Sequence, residues 1–112
     1  MTSITTHVLD ISRGMPATGV TVTLYQTING ARVEVNREVT DSDGRIGDLF
    51  AAPIAEVTMF YLEFDTAAYF AGMGTDALYP KVEICFRAAP NEKRYHVPLL
   101  LSPFGYSTYR GS

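Results

Sequence analysis

The sequence predicts an all-β fold, an antiparallel sandwich or barrel that carries one short helix. Apolar and polar residues alternate in several runs, turn signals separate these runs at short intervals, and only one segment has the signals of a helix. Successive side chains of a strand point to opposite faces, so such alternation indicates strands with one buried side. Many short strands within 112 residues favour a single domain, which we place over residues 1–112.

The first strand is predicted near the N-terminus. Ile4, Thr6 and Val8 share one face of an alternating run, and His7 lies on the other face. A hairpin follows over residues 20–39, because two alternating runs flank Asn29-Gly30, and these two residues tolerate the positive φ of a tight turn. Asp43-Gly44 marks another turn, which leads into a short run over residues 45–50.

The second half of the chain contains the helix and three further strands. Val57 to Phe64 is apolar on both faces over much of its length, which predicts a central strand or one that contacts a partner. Asp65-Thr66 can cap a helix over residues 67–71, and Gly72 can end it. The next run, residues 81–87, predicts a strand that buries Val82, Ile84 and Phe86.

The strand predicted over residues 95–101 carries the second histidine, His96, on the face opposite Tyr95 and Val97. Pro98 lacks a backbone N–H for the ladder, so we expect it at a strand edge or a bulge rather than in a central position.

Composition excludes several classes of function. Nine basic and twelve acidic side chains give a net charge of −3, which provides no electrostatic footprint for nucleic acid. The longest uncharged stretch, residues 95–109, contains His96 and two prolines, so we expect no membrane span. A single cysteine, Cys85, excludes an internal disulfide. The N-terminus lacks a basic start followed by an apolar run, which favours a cytoplasmic location, or a periplasmic one if a leader was removed.

Four short motifs fail the requirements of their chemistry. Gly72-x-Gly74-x-x-Ala77 follows a helix rather than a strand, so it is not a dinucleotide site. Asp41-Ser42-Asp43-Gly44 places Arg45 where a calcium loop needs an oxygen ligand. His7, His96 and Cys85 are too widely spaced to favour zinc. The serine in Gly105 to Tyr109 lacks the second glycine of a nucleophile elbow. We therefore predict no metal and no cofactor.

The two histidines and the C-terminus are the features that point to function. A lone histidine on a strand has a structural role at odds of roughly three to one. This chain has only two histidines, and both are placed in otherwise apolar strands, which shifts those odds toward function. The C-terminal run from Leu99 to Ser112 is aromatic and ends in a compact polar group, whereas chain ends are usually free to vary. The structural alternative for this run is an edge strand followed by a tail.

The chain resembles the transthyretin-like 5-hydroxyisourate hydrolases of urate breakdown. The likeness is carried by motifs from both termini and from the middle of the chain. These motifs are Thr6-His7-Val8-Leu9-Asp10, Gly14-Met15-Pro16-Ala17, Asp43-Gly44-Arg45, the helix over 65–72, Tyr79-Pro80, Tyr95 to Pro103 and Tyr106 to Ser112. The closing Tyr109-Arg110-Gly111-Ser112 is the most specific, because the hormone-carrying transthyretins share the fold but lack this tetrapeptide and the histidine equivalent to His96.

The resemblance implies a sandwich of two four-stranded sheets with one short helix. It also implies a homotetramer, a dimer of dimers with a central channel, whose active sites lie at the subunit interface. The partners it implies are a small-molecule substrate and further copies of the chain, with no nucleic acid and no membrane.

The implied reaction is the hydrolytic opening of the six-membered ring of 5-hydroxyisourate, which yields 2-oxo-4-hydroxy-4-carboxy-5-ureidoimidazoline. By resemblance, the catalytic residues are His7, Arg45, His96 and Ser112, and the substrate-binding residues are His7, Arg45, Tyr109, Arg110 and Gly111. Imidazole is a suitable general base near neutral pH, and His7 and His96 are both candidates for that role. Arg45 can bind an oxygen-rich substrate and stabilise an oxyanion, and Ser112, with its terminal carboxylate, can fix the tautomer of a histidine.

One position departs from the family pattern. Many members carry a His-x-His arrangement that ends at the position of His96, whereas this chain has Arg94 as the first of the pair. Arg94 shares a strand face with His96, so we expect it to border the site and to alter substrate affinity or a local pKa.

Two other functions compete with the hydrolase. A transthyretin-like carrier would bind a small aromatic ligand without chemistry, but it has no need of His7, His96 and the segment Tyr109 to Ser112. A structural sandwich that binds partners through its exposed strand edges is supported only by the generic fold.

Overall fold

Nine strands and one helix make up the computed structural model, which describes all 112 residues. In chain order the elements are β1 (Thr2–Asp10), β2 (Met15–Pro16), β3 (Thr21–Ile28), β4 (Ala31–Val39), β5 (Arg45–Ala52), β6 (Thr58–Phe64), α1 (Thr66–Ala71), β7 (Val82–Ala88), β8 (Arg94–Ser102) and β9 (Gly105–Thr108). The predicted all-β class with one short helix is confirmed. That helix has six residues, and no helix is long and apolar enough to cross a membrane.

The strands form two sheets. The first has the order β2-β1-β8-β9, and β5 also pairs with β1; the second has the order β4-β3-β6-β7. The pairing of β1 with β8 is parallel, and every other pairing is antiparallel. The predicted sandwich is thus confirmed, with the two-residue β2 as a small addition to one of its sheets.

The inner faces of the two sheets enclose the apolar core. Along β1 every second residue is buried, including Ile4 and Val8, while Thr5 and His7 are turned to the outer face. On the facing sheet, Phe60 and Phe64 of β6 are fully buried. Burial of each such side chain contributes about 1.5–3 kcal/mol to the stability of the fold. The alternation read from the sequence therefore decides which side chains of the first sheet remain available on its outer surface.

The predicted hairpin and the predicted helix are both present. Asn29 and Gly30 have φ values of 53° and 77°, as a tight hairpin turn requires. The Asp65 side chain caps the helix by accepting a hydrogen bond from the Ala68 N–H at 3.3 Å. The helix ends before Gly72, although the positive φ occurs two residues later, at Gly74.

The helix is attached to the end of β1 through a buried carboxylate. Asp10 is fully buried, and it accepts hydrogen bonds from the Tyr69 hydroxyl at 2.7 Å and from the Ser12 hydroxyl at 2.5 Å. Burial raises the pKa of Asp10, but the hydrogen bonds from Ser12, Tyr69 and the Arg13 backbone outweigh burial and lower that pKa. The carboxylate therefore stays charged and holds the turn after β1 against the helix.

The strands predicted in the second half of the chain are also confirmed. β6 is an interior strand with β3 and β7 as neighbours, as predicted, and it buries Phe60, Leu62 and Phe64 on its inner face. In β7, Val82 is buried, and Ile84 and Phe86 pack against the core.

The expectation that Pro98 occupies a strand edge or a bulge is wrong, because β8 lies between β1 and β9. The reason that a proline is tolerated there lies in the β9 side of the strand. On that side the Pro98 carbonyl accepts a hydrogen bond from the Thr108 hydroxyl at 2.7 Å, and β9 ends at Thr108. The ladder resumes only at the bridge between His96 and Gly111. The missing N–H of Pro98 thus coincides with the gap in the ladder.

The predicted turn at Asp43-Gly44 determines where β5 begins. Gly44 has a φ of 74°, and its carbonyl accepts a hydrogen bond from the Val8 N–H at 2.7 Å. A Cβ atom at this position would overlap the Val8 carbonyl oxygen. Only glycine combines this φ with such a close approach to β1.

We expect Gly44→Ala to lower the free energy of unfolding by about 2 kcal/mol or more, because alanine disfavours positive φ and its methyl group meets the Val8 carbonyl. Urea unfolding at one fixed protein concentration measures this change. Gly47→Ala is the matched control, since a Cβ there has no heavy atom within 4 Å and should change stability by less than about 0.5 kcal/mol. Equal stability of the two variants would contradict the packing argument.

Candidate active site

The outer face of the first sheet brings together three of the residues that the sequence indicated. In the antiparallel pairing of β1 with β5, His7 lies directly opposite Arg45. Residues directly opposite each other in a ladder project from the same face of the sheet. The turn at Gly44 therefore places the Arg45 side chain on the same face as that of His7, at the position directly opposite, and the Arg45 side chain is exposed.

The same turn holds the start of β5 by hydrogen bonds. One carboxylate oxygen of Asp41 accepts from the Asp43 and Arg45 backbone N–H groups, at 2.9 Å each. The Arg45 N–H is the main cause that lowers the pKa of Asp41. The backbone that carries Arg45 is thus fixed on both sides of the turn.

The parallel pairing of β1 with β8 adds the second histidine. Thr5 is the register partner of His96, and His7 is the partner of Pro98. His96 and His7 therefore project from the same face of neighbouring strands. The Thr5 hydroxyl is 2.7 Å from the His96 Nδ1 atom, a short hydrogen bond that leaves the Nε2 atom as the ring nitrogen available to a ligand.

The C-terminal tail lies against the His96 ring. The Gly111 N–H donates to the His96 carbonyl at 2.8 Å, and the two residues form an isolated bridge. A Cβ on Gly111 would overlap the Cδ2 atom of the imidazole. The tail and the ring thus approach so closely that only glycine fits between them.

Arg110 is held on the other side of β8. Its guanidinium is 2.5 Å from a carboxylate oxygen of Glu92 and lies 4.8 Å from the centre of the Tyr95 ring. Tyr95 is buried on the inner face of the sheet. The Arg110 side chain therefore anchors the tail to the residues at the start of β8. It does not lie on the face that carries the histidines.

Tyr109 and Ser112 complete the tail. Both are exposed, and Ser112 follows directly after Gly111. Tyr109 and Arg110 border an apolar cleft of about 270 Å³ that also touches Ile84 and Phe86. This cleft opens between the inner faces of β7 and β8, so it is separate from the outer face that carries His7, Arg45 and His96.

Burial and positive charge act together on His96. The ring is half-buried, and burial is the main cause that lowers the pKa of His96 below its ordinary value of 6.5. Arg94, His7 and Arg45 lower the pKa of His96 further through charge repulsion. The imidazole is therefore neutral at pH 7 and can accept a proton at Nε2.

Thr5 is the residue hydrogen-bonded to His96 that the sequence analysis missed. The alternation places Thr5 on the face of His7, but Thr5 and His96 are 91 positions apart, and no local pattern pairs them. No group of three or more His, Cys, Asp or Glu side chains is arranged to hold a metal ion.

We expect the pKa of His96 to lie below 6.5, so that the ring gains its charge only as the pH falls below that value. Arg94→Gln should raise this pKa, because charge repulsion from Arg94 lowers the His96 pKa more than repulsion from His7 or Arg45 does. An NMR titration of the two imidazoles, assigned with His96→Asn, measures both effects. Arg87→Gln, in the other sheet, is the control and should leave the His96 titration unchanged. A midpoint at or above 6.5 in the unsubstituted protein would contradict this electrostatic account.

Known proteins resemble this chain over almost its whole length. The chain matches the HIUase/Transthyretin family over residues 4–111. It is 39% identical to a 5-hydroxyisourate hydrolase of Salmonella typhimurium, over 97% of this chain and 80% of the relative. It is 38% identical to the 5-hydroxyisourate hydrolase of Mus musculus, over 97% of this chain and 94% of the relative.

Two solved structures resemble this protein over nearly its full length. The 5-hydroxyisourate hydrolase of Klebsiella pneumoniae superposes with a TM-score of 0.88 and is 39% identical, with all of both chains covered. Sea bream transthyretin in complex with thyroxine superposes with a TM-score of 0.91 and is 31% identical, with 97% of this chain and 94% of that chain covered. A family match that runs almost from end to end, supported by relatives of this identity, shows that the chain belongs to the HIUase/transthyretin family.

Proposed function

We propose that this protein hydrolyses 5-hydroxyisourate, opening its six-membered ring to form 2-oxo-4-hydroxy-4-carboxy-5-ureidoimidazoline. The observation that carries the proposal is the grouping of His7, Arg45 and His96 on one outer sheet face, with Gly111 packed against the His96 ring. Two imidazoles and a guanidinium supply proton transfer and charge stabilisation, which are the two needs of amide hydrolysis.

In the proposed reaction, the oxygen of water forms a bond to the ring amide carbonyl carbon. One proton of the water passes to an imidazole nitrogen, the carbon–nitrogen bond breaks, and the leaving nitrogen takes up a proton. The neutral His96 ring, with Nε2 free, is suited to accept the first proton. His7 is the alternative base, and the histidine that is not the base would orient its neighbour or protonate the leaving nitrogen.

Arg45 supplies the positive charge that this reaction needs. Addition of water places negative charge on the carbonyl oxygen, and a fixed guanidinium beside that oxygen stabilises the charge. Its fork of N–H donors also suits a planar, oxygen-rich substrate. The hydrogen bonds of the Asp41 turn keep the backbone of Arg45 in place, which fixes the point from which its side chain reaches the substrate.

The tail closes one side of the proposed site. Gly111 sets the distance between the tail and His96, and we assign Ser112, the next residue, to the catalytic group. We assign Tyr109 and the backbone of Arg110 and Gly111 to substrate contact. The clasp that Arg110 forms with Glu92 and Tyr95 holds this tail in register with β8.

A homotetramer with active sites at the subunit interface is part of this proposal, as is a single catalytic domain over residues 1–112 in the cytoplasm. Apolar side chains are exposed at one end of the sandwich, where Phe104 is 68% exposed, Leu78 is 62% exposed and Ile11 is 56% exposed. Ile11 and Leu78 both lie next to the end of β8, just before Phe104. The Ile11 N–H donates to the Leu101 carbonyl, and the Leu78 N–H donates to the Pro103 carbonyl. A grouped apolar surface of this kind favours association with further copies of the chain.

A small-ligand carrier is the second candidate function. It is favoured by the likeness to sea bream transthyretin, which was solved with thyroxine bound. A carrier, however, needs no half-buried neutral imidazole beside a guanidinium. The arrangement of His7, Arg45 and His96 therefore favours catalysis.

We expect the protein to accelerate the decay of freshly generated 5-hydroxyisourate, followed by its ultraviolet absorbance. His96→Asn and His7→Asn should each lower kcat by about 10²-fold or more, because each removes a group that transfers a proton. Cys85→Ser is the control, since Cys85 is exposed on the other sheet, and it should retain the full rate.

Either histidine variant with a near-normal rate would remove that residue from the mechanism. If the folded protein gave no acceleration over spontaneous decay, the carrier would become the better account.

We expect sedimentation equilibrium to give four times the mass of one chain. Phe104→Ser should weaken this assembly, because it removes the most exposed aromatic side chain of the apolar end, while leaving the buried core untouched. A monomer that hydrolyses the substrate at full rate would contradict a site shared between subunits.

A further inference from the structure

The hydrogen bond between Thr5 and His96 has a property that most histidine partners lack. A carboxylate or a carbonyl oxygen can only accept a hydrogen bond, so either would fix the proton on Nδ1. A hydroxyl group can both donate and accept. The 2.7 Å bond is therefore compatible with both neutral tautomers of the His96 ring.

We propose that Thr5 is the positioning residue of His96, holding the ring in one place while allowing Nε2 to serve either as proton acceptor or as proton donor. This inference deepens the proposed hydrolysis and depends on it. When Nδ1–H donates to the Thr5 oxygen, Nε2 has a free lone pair and can accept a proton from water. When the Thr5 hydroxyl donates to Nδ1, Nε2 carries the proton and can donate it. Between the two cases the ring proton leaves Nδ1 and a proton is taken up at Nε2 by exchange with water, while the Thr5 hydroxyl rotates from acceptor to donor and no heavy atom has to move.

The surroundings of the ring support this role. The His96 ring forms its hydrogen bond with Thr5, and the Thr5 hydroxyl forms no other within the chain. The tail at Gly111 packs against the Cδ2 edge, which restricts rotation of the ring. The permanent charges that act on His96 are cationic, namely Arg94 and Arg45. These cations disfavour a lasting imidazolium, so a proton accepted at Nε2 is readily passed on to the leaving nitrogen.

The neighbouring threonine provides an internal comparison. The Thr6 hydroxyl also bridges β1 and β8 at 2.7 Å, but it donates to the Val97 carbonyl and is buried on the inner face. Thr6 and Thr5 thus make hydrogen bonds of equal length between the same two strands. Of these two partners, only the His96 imidazole can gain or lose a proton near neutral pH; the Val97 carbonyl can only accept a hydrogen bond.

The test compares Thr5→Val, Thr5→Ser and Thr6→Val. Valine keeps the shape of threonine but has no hydroxyl, whereas serine keeps the hydroxyl. We expect Thr5→Val to lower kcat by about 10- to 100-fold with little change in KM, and Thr5→Ser to restore most of the loss. Thr6→Val should lower stability while its folded fraction keeps the original kcat. Should Thr5→Val fold poorly, Thr5→Ala tests the same hydroxyl at a half-buried position.

A second readout distinguishes this role from simple packing. The nitrogen-15 NMR shifts of His96 report which ring nitrogen carries the proton, and we expect both tautomers to be populated in the unsubstituted protein. Thr5→Val should change their ratio, and Thr6→Val should not. An unchanged kcat and tautomer ratio in Thr5→Val would overturn the proposal, as would an equal loss of kcat in Thr5→Val and Thr5→Ser.

The NMR readout needs no substrate, so the two proposals can fail separately. Absence of 5-hydroxyisourate hydrolysis in the unsubstituted protein would reject the function. A single tautomer of His96 that Thr5→Val leaves unaltered would reject the role of Thr5.

Discussion

The parallel pairing of β1 with β8 is the constraint on which the proposed site depends. It aligns eight residue pairs from Ser3 with Arg94 to Asp10 with Leu101, and it joins segments from opposite ends of the chain. Every other strand pairing is antiparallel, so this contact is the one place where the two ends run side by side in the same direction. Thr5 reaches His96 only through this register, and a shift by one residue would turn the histidines to opposite faces. Bringing these distant segments together costs loop-closure entropy before the contacts form, so we expect this pairing to slow folding.

One glycine turn and one proline then shape the edges of this paired unit. The glycine turn at Gly44 brings β5 against β1 and sets Arg45 beside His7. At the opposite edge, Pro98 interrupts the ladder with β9, and pairing resumes in the same register at the bridge between His96 and Gly111. Backbone conformation thus places Arg45 on one side of the two histidines and the C-terminal tail on the other. The half-buried imidazole between them stays neutral because burial and the surrounding cations both oppose its charge.

The fold alone does not distinguish an enzyme from a carrier in this family. The chain superposes on a thyroxine-bound transthyretin with a TM-score of 0.91 and on a 5-hydroxyisourate hydrolase with a TM-score of 0.88, so backbone similarity does not separate a carrier from an enzyme. The proposal of catalysis comes instead from a few side chains on one outer face. Function in such a case depends on the chemistry of the site that the scaffold holds.

The sequence by itself determined most of the strands, though not the short β2, as well as the hairpin at Asn29-Gly30, the helix after Asp65 and the faces on which the two histidines lie. Periodicity and turn chemistry are local properties, and a short window of residues expresses them fully. The sequence also indicated His7, Arg45 and His96 through the family resemblance. Only the tertiary structure decided that Thr5 bonds to His96, that the Arg110 guanidinium lies on Tyr95, and that a central strand accommodates Pro98. Each of these depends on which strands become neighbours and in what register, and pairing between distant segments follows from the packing of the whole core.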